Sequence, residues 1–123
     1  MRMERENQGG GPIVRGFAGT GFRVDEHAYR ALLLTPERAD EWTPPPLAEL
    51  TEGALQALIA IRPEFIVIGT GAVLVRPPVA LVQALEAQGI GLEAMDSRAA
   101  ARAWGVLRSE GRTIAAALYP LDA

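Results

Sequence analysis

Residues 63–118 alternate between short apolar segments and longer segments with helical periodicity. The short segments, at 65–68, 90–95 and 113–118, have the length and apolar content of buried strands. The alternation β-α-β-α-β predicts a sheet with parallel strands that are joined by right-handed helical crossovers. A further helix is predicted over 52–61, just before the first of these strands, so this part of the chain indicates an α/β fold.

The two helices between these strands have recognisable boundaries. Pro77-Pro78 can begin the first helix and Gly89 can end it. The second helix is predicted over 98–108, with Asp96 or Ser97 as its N-cap. Spacing of i, i+3, i+4 and i+7 then predicts the buried residues of both helices: Pro78, Leu81, Val82 and Leu85 in the first, and Ala100, Ala103, Trp104 and Leu107 in the second.

The N-terminal half of the chain predicts antiparallel strands. Two short strands surround the turn Gly19-Thr20-Gly21, because glycine reaches positive φ without steric cost. Residues 29–34 are a third strand candidate. The proline-rich segment that follows, up to Pro46, is expected to be a loop that Trp42 anchors to the body. Thr51 is the predicted N-cap of the helix that comes next.

Together these elements predict a single globular domain over residues 12–123. Its fold is expected to be α/β with three layers: a mixed central sheet, helices packed on it, and an N-terminal β-meander or hairpin. Residues 1–11 are polar and rich in glycine, and we expect them to form a flexible tail.

The composition excludes several classes of protein. The 123-residue chain has no cysteine, which excludes disulfides, thiolate nucleophiles and iron–sulfur clusters. Its net charge of −3 argues against a nucleic-acid partner. No apolar run approaches the roughly 20 residues of a membrane span, and the N-terminus lacks the apolar core of a signal peptide. We therefore expect a cytoplasmic protein without a membrane span.

The turn Gly69-Thr70-Gly71 follows a predicted buried strand, where ligands usually bind in open α/β sheets. Its backbone N–H groups are candidates for binding phosphate, with Asp96 placed where an acid could bind a ribose. However, Leu74 stands where a dinucleotide fingerprint has glycine. A tight turn and a helix cap are the structural alternatives for these two features.

Three arginines are candidates for contact with a ligand or partner. Arg98 and Arg102 lie one turn apart on a helix, opposite its apolar stripe. Arg112 lies between this helix and the last strand, where it can form an ion pair or face the same edge as Gly69. His27, the only histidine, is interpreted as a surface residue, and no spacing of carboxylates indicates a metal site.

The order and spacing of several segments resemble a known family. These segments are Gly69-Thr-Gly71, the run from Gly89 to Ser97, Ala99-Ala100, Val106-Leu107, Glu110-Gly-Arg112 and Ala115–Leu118. Together they look like the small domain-of-unknown-function family that includes mitochondrial NADH dehydrogenase (respiratory complex I) assembly factor 3. The resemblance covers most of residues 13–120 and suggests a bacterial single-domain member.

This resemblance implies a mixed central sheet, no catalytic residues, no cofactor and a protein partner. The chain departs from the family at Gly105, where members usually place asparagine. We therefore expect a non-enzymatic interaction or assembly-factor-like domain, with a link to membrane or respiratory complex biogenesis. Its expected contact surface combines Gly69–Gly71, Arg98, Arg102 and Arg112. The alternative is a small-molecule or nucleotide-binding protein that uses the crevice beside Gly71 and Asp96. The sequence leaves the oligomeric state open.

Overall fold

The computed structural model describes residues 11–123, so the predicted tail lies outside the described residues except for Gly11. Within that range the chain forms eight strands, three α-helices and two short 3₁₀ turns. The strands are Val14–Ala18 (β1), Gly21–Val24 (β2), His27–Tyr29 (β3), Leu32–Leu34 (β4), Ala39–Glu41 (β5), Phe65–Gly69 (β6), Gly91–Met95 (β7) and Ala115–Leu118 (β8). The α-helices are Gln56–Ile59 (α1), Val79–Glu86 (α2) and Ser97–Ser109 (α3), and the 3₁₀ turns are Leu47–Glu49 and Glu52–Leu55.

Five strands form a mixed central sheet in the order β5-β4-β8-β6-β7. Strands β6, β7 and β8 run parallel, whereas β4 pairs antiparallel with both β8 and β5. The last strand of the chain is therefore the centre of the sheet. All four of its residues are buried, because helices or strands cover both faces of the sheet there.

Strands β1, β2 and β3 form a separate antiparallel sheet. This smaller sheet and α3 cover one face of the central sheet through a cluster that includes Phe22, Val67, Trp104 and Leu118. The short helices and α2 cover the other face through a cluster that includes Leu58, Ile66, Leu85 and Ala117. Alternate residues of β6 and β8 thus enter opposite clusters, which confirms the predicted three-layer arrangement.

The predicted strands at 65–68, 90–95 and 113–118 are confirmed as β6, β7 and β8. The helix that follows Pro78 is also confirmed, with Leu81 and Leu85 buried. The predicted hairpin around Gly19 is confirmed as β1 and β2, which pair antiparallel.

The predicted third strand at 29–34 is wrong, because the chain changes sheets there. Tyr29 pairs with Phe22 in the smaller sheet, whereas Leu32 pairs with Leu118 in the central one. The loop predicted up to Pro46 contains the unpredicted strand β5. A turn at Thr35 makes this strand possible, since its hydroxyl oxygen accepts hydrogen bonds from the backbone N–H groups of Glu37 and Arg38.

The predicted helix at 52–61 is shorter and less regular than expected. Thr51 makes no side-chain capping hydrogen bond, and the 3₁₀ turn that follows meets α1 at Leu55, whose φ of −113° is not helical. Arg62, just beyond the segment, adopts a φ of +51°. Leu55, Leu58 and Ile59 are buried, so the segment packs on the core although its backbone is irregular.

Trp42 anchors the proline-rich segment as predicted. Its ring packs edge-on against Tyr119, with 5.2 Å between ring centroids. The Tyr119 hydroxyl also donates a 2.7 Å hydrogen bond to the carbonyl of Pro45. Burial of Tyr119 raises its pKa to about 12, because the charged phenolate is disfavoured away from water.

Candidate functional site

The turn Gly69–Gly71 is a packing junction between β6 and the start of α3. A Cβ atom on Gly69 would lie 2.8 Å from the Ser97 hydroxyl and 2.9 Å from the Ser97 Cα. Gly71 has a φ of +113°, and a Cβ there would collide with the backbone of Ala123. Both positions therefore require glycine for packing and backbone geometry.

The backbone N–H groups of this turn already have partners inside the protein. Thr70 donates to the Met95 carbonyl at 2.8 Å, Gly71 to the Ser97 hydroxyl at 2.9 Å, and Ala72 to the Ala123 carbonyl at 3.1 Å. A phosphate would have to displace these bonds in order to bind here. The arrangement gives no support to the predicted phosphate-binding alternative.

Asp96 acts as the helix cap that the sequence indicated. Its carboxylate accepts a 2.9 Å hydrogen bond from the backbone N–H of Ala99. The neighbouring Ser97 is fully buried, and its hydroxyl donates to the Tyr119 carbonyl at 2.8 Å. Ser97 therefore joins β6, β8 and α3, a role that no local sequence pattern could distinguish from capping.

Arg112 lies at the opposite end of the sheet from Gly69. It forms a 2.9 Å ion pair with Glu64, the residue before β6, whereas Thr70 follows the same strand. Glu64 and Thr70 are six positions apart along extended chain, a distance of roughly 20 Å. The hydrogen bond to Glu64, together with the charge of that carboxylate, raises the pKa of Arg112. The predicted ion pair is thus present, and Arg112 does not share an edge with Gly69.

Arg98 and Arg102 lie together on the exposed side of α3, as predicted. Neither has an ion pair with a carboxylate within residues 11–123. The Arg98 guanidinium lies 4.8 Å from the ring centroid of Phe17, which is 37% exposed. We call Arg15, Phe17, Arg98 and Arg102 the arginine face.

A groove of about 200 Å³ runs beside this face, between β1 and α3. Arg15, Gly16 and Phe17 line one wall, and Ala101 and Arg102 line the other. Sequence reasoning missed the contribution of β1. Residues 15 and 17 are exposed in β1, but the sequence of this strand does not alternate between polar and apolar residues, so no local pattern indicated that they would lie beside α3.

A second exposed surface was not anticipated. Val73, Leu74 and Val75 follow the glycine turn and are 63%, 59% and 47% exposed, and Val79 at the start of α2 is 69% exposed. The Thr70 hydroxyl holds this loop by donating to the Val73 carbonyl and accepting from the Val75 N–H. The loop is therefore a fixed apolar projection.

The predicted crevice also differs from the cavities of the structure. A cavity of about 400 Å³ lies beside Trp42 and Tyr119, with prolines in its wall, and its lining includes neither Thr70, Asp96 nor Arg112. Among the described residues, no group of three or more histidine, cysteine or acidic side chains could hold a metal ion. The described helices also include none with the length and apolar character needed to span a bilayer.

The fold and the site define a class of protein: a small mixed α/β domain with an internally bonded strand-end turn and an exposed arginine face. A family model described as a protein of unknown function (DUF498/DUF598) matches residues 14–119, and the chain belongs to that family. The family resemblance drawn from Gly69–Gly71 and the segments after it is confirmed.

Three relatives illustrate the range of this family. An uncharacterised protein of Rhodobacter capsulatus is 37% identical over 109 residues, which cover 88% of this chain and 84% of the relative. NADH dehydrogenase [ubiquinone] 1 alpha subcomplex assembly factor 3 of Mus musculus is 31% identical over 108 residues. The match covers 86% of this chain but only 56% of the mouse protein. A crystal structure of a Bordetella parapertussis protein has a TM-score of 0.80 at 31% identity, covering 89% of this chain and 95% of that one.

Proposed function

We propose that this protein is a non-catalytic protein-binding domain that supports the assembly of a respiratory membrane complex. The arginine face is its contact surface, with Arg98 and Arg102 as the principal charged contacts. The mouse relative, named as an assembly factor of NADH dehydrogenase, supports the choice of complex.

The observation that carries this proposal is the pair of exposed arginines on α3 without carboxylate partners in the described part of the chain. The net charge of the whole chain is −3, so the protein as a whole does not attract acidic partners. A localised basic surface can still select and orient an acidic partner. Phe17 adds an aromatic contact beside the charges, and aromatic and arginine side chains are enriched at protein interfaces.

The other predicted contact residues support a smaller surface than the sequence suggested. Gly69, Thr70 and Gly71 are buried, and Asp96 is engaged as a helix cap. Arg112 already pairs with Glu64 at a distant position. We therefore place the contact on α3 and β1 and assign the glycine turn a structural role.

Affinity purification of the tagged protein from its native cells tests this proposal. The double variant Arg98→Glu/Arg102→Glu reverses both charges on α3. We expect it to recover at least about tenfold less of any NADH dehydrogenase subunit that co-purifies with the unchanged protein, a loss equivalent to about 1.4 kcal/mol. Quantitative mass spectrometry measures the recovery.

The control is Arg62→Glu/Arg76→Glu, which makes the same change in net charge. Both residues are exposed and lie outside α3 and β1. The control should retain the partner, and all variants should unfold at nearly the same temperature. Equal recovery with the α3 variant and the unchanged protein would contradict the assigned surface, and recovery of no NADH dehydrogenase subunit would contradict the assigned complex.

A further inference from the structure

We infer that the free edge of β7 binds an extended segment of another chain, in which basic residues alternate with apolar ones. The segment adds to the central sheet as an extra strand beside β7. This inference goes beyond the proposed function, because β7 contributes no residue to the arginine face. Its support comes from the hydrogen bonds of β7, the helices that flank it and the exposed side chains around it.

Hydrogen bonds at the two ends of β7 show which way its backbone groups point. The Gly91 N–H donates to the carbonyl of the residue just before β6 at 3.2 Å, and the Met95 carbonyl accepts from the residue just after β6 at 2.8 Å. Because these groups alternate between the two sides of a strand, Glu93 also bonds toward β6, whereas Leu92 and Ala94 direct their N–H and C=O groups away from it. No strand lies on that side, since β7 is the last in the order of the sheet.

The other edge strands of the described chain are poorly suited to pairing. Strands β3 and β5 contain three residues each, and β1 has a register shift between Val14 and Gly16 and lies against α3. Short edge strands, bulges and covering helices are ways in which proteins prevent pairing with other chains. In contrast, β7 has five residues, pairs with β6 without a register shift and contains neither proline nor lysine.

The helices beside β7 cover its faces and leave its edge open. Leu92 packs in the cluster beneath α2, whereas Met95 packs in the cluster beneath α3. Side chains of a strand point to the faces of its sheet, perpendicular to the direction of its interstrand hydrogen bonds. The contacts of β7 with both helices therefore lie above and below the sheet. All five residues of β7 remain at least partly exposed, whereas four of the five residues of β6 are buried.

Glu93 gives this edge its preference for a basic partner. Its side chain is exposed and forms no ion pair within residues 11–123. An arginine or lysine opposite Glu93 would be stabilising, since opposite charges attract across neighbouring strands. A second copy of β7 fits less well. The register that pairs Leu92 with Ala94 uses all the outward groups of both strands, but it places two Glu93 carboxylates opposite each other.

The exposed loop Val73–Val75 indicates the apolar part of the segment. The Thr70 hydroxyl oxygen lies 2.7 Å from the Val73 carbonyl and 3.2 Å from the Met95 carbonyl, so it fixes this loop at the carboxyl end of β7. Clustered apolar side chains on a protein surface mark interaction sites. Apolar side chains of an added strand can pack against this loop and remove it from water.

NMR titration of the ¹⁵N-labelled protein with defined peptides tests the inference. The probe is a capped nine-residue peptide of alternating valine and arginine. We expect shifts of the β7 amides, and solvent exchange of the Leu92 and Ala94 amides that is at least about threefold slower, as for the gain of one hydrogen bond. A valine–glutamate peptide of the same length should bind more weakly.

Charge reversal at Glu93 tests the assigned chemistry of the partner. Glu93→Arg should reverse the preference and change the ratio of the two dissociation constants by at least about threefold, because each peptide exchanges an attractive for a repulsive cross-strand pair or the reverse. Glu26→Arg is the control, since it makes the same change in net charge at an exposed position outside the central sheet. This control should leave the preference unchanged.

Two modified peptides isolate the backbone contact. One carries N-methyl groups on its valine nitrogens, and the other carries them on its arginine nitrogens. The N–H groups of an added strand point alternately toward β7 and away from it, so only one of the two peptides loses its hydrogen bonds to β7. We expect that peptide to bind at least about threefold more weakly than the other.

A matched pair of variants tests the loop. Leu74 is 59% exposed and Val106, on α3, is 60% exposed. Leu74→Ser should weaken binding of the valine–arginine peptide by about threefold, through lost apolar contact, whereas Val106→Ser should not. Equal affinities of the two variants would contradict the part assigned to the loop.

The possible outcomes separate this inference from the proposed function. Equal binding of the two methylated peptides, or exchange of the Leu92 and Ala94 amides that the probe does not slow, would overturn strand addition. An unchanged preference in Glu93→Arg would overturn the assigned partner chemistry. Protection of the same amides by protein concentration alone would identify a second copy as the occupant, contrary to the inference. None of these results depends on purification with Arg98→Glu/Arg102→Glu, which tests a different surface.

Discussion

At the scale of single residues, Gly69 connects the sequence most directly to the packing of the site. Its missing side chain lets the start of α3 approach β6, so the Ser97 hydroxyl can bridge Gly71 and Tyr119. In the same arrangement, the N–H groups that made this turn a candidate for binding phosphate donate hydrogen bonds within the protein. A glycine pair at the end of a strand was therefore a correct indication of an unusual backbone, but it did not indicate a ligand.

We predict that Gly69→Ala destabilises the protein by about 1–3 kcal/mol, the usual cost of overpacking a buried site. The added methyl group would lie within 3.0 Å of Ser97 and of the Leu118 side chain, so α3 or β8 has to shift. Denaturant unfolding measures the change. Gly16→Ala is the control, because the space beside Gly16 is open, and a loss of less than 0.5 kcal/mol in Gly69→Ala would contradict the packing assigned here.

At the scale of secondary-structure elements, the elements that depend on local sequence signals could be predicted, and those that depend on tertiary contacts could not. The strands β6, β7 and β8 and the helices α2 and α3 could be predicted, because their apolar periodicity and boundary residues agree. Residues 29–34 could not, since a continuous strand-like segment contains no local signal for a change of sheet at Arg30. Strand β5 depends on pairing with β4, which is a tertiary contact.

The candidate site was only partly predictable for the same reason. Arg98 and Arg102 could be placed on one side of α3 from helical spacing alone. Their proximity to Phe17 and Arg15 depends on how the smaller sheet packs on α3, about 80 residues away along the chain. Separation of Arg112 from Gly69 follows from the parallel pairing of β6 and β8, because Arg112 precedes β8 whereas Gly69 ends β6. The β-α-β-α-β alternation predicted this parallel pairing, so the separation could have been predicted from the sequence.

Gly105 in α3 is a position where the low helix propensity of glycine can be tested against the structure. It lies in the helix interior, and a Cβ there would meet no described atom within 4 Å, so no close packing explains the glycine. We predict that Gly105→Ala stabilises the protein by about 1 kcal/mol through helix propensity. A rise in the midpoint of thermal unfolding measures this effect, and a fall would indicate a contact with Gly105 that the described residues do not make.

At the scale of the whole molecule, the two faces of the central sheet have different consequences for function. The face toward α2 is covered mainly by short helices. The exposed apolar loop Val73–Val75 lies just before α2 in the chain. The other face carries α3 and the smaller sheet, and the junction between them creates the arginine face. The proposed contact surface is therefore a product of packing two sheets and a helix, and it would be lost if the smaller sheet detached.

The stability of the whole molecule at alkaline pH depends on its tyrosines. The chain contains neither lysine nor cysteine, so tyrosines are the side chains that titrate near pH 10. Tyr119 has a pKa of about 12 when folded, compared with an ordinary value of 10.0. Between these values the unfolded chain has lost the phenolic proton that the folded protein retains, so the stability contributed by Tyr119 is present below pH 10 and decreases as the pH rises toward 12.

Tyr119→Phe removes this titration but also the hydrogen bond to Pro45. We therefore predict that the unchanged protein is more stable than Tyr119→Phe by about 1 kcal/mol at neutral pH, and that this difference diminishes above pH 10. Denaturant unfolding at a series of pH values measures the free energy of unfolding of both proteins. Tyr29, the other tyrosine, is present in both, so its titration contributes equally to the two curves. Parallel curves across this interval would show that Tyr119 ionises equally in the folded and unfolded chains, contrary to its burial against Trp42 and the proline-rich segment.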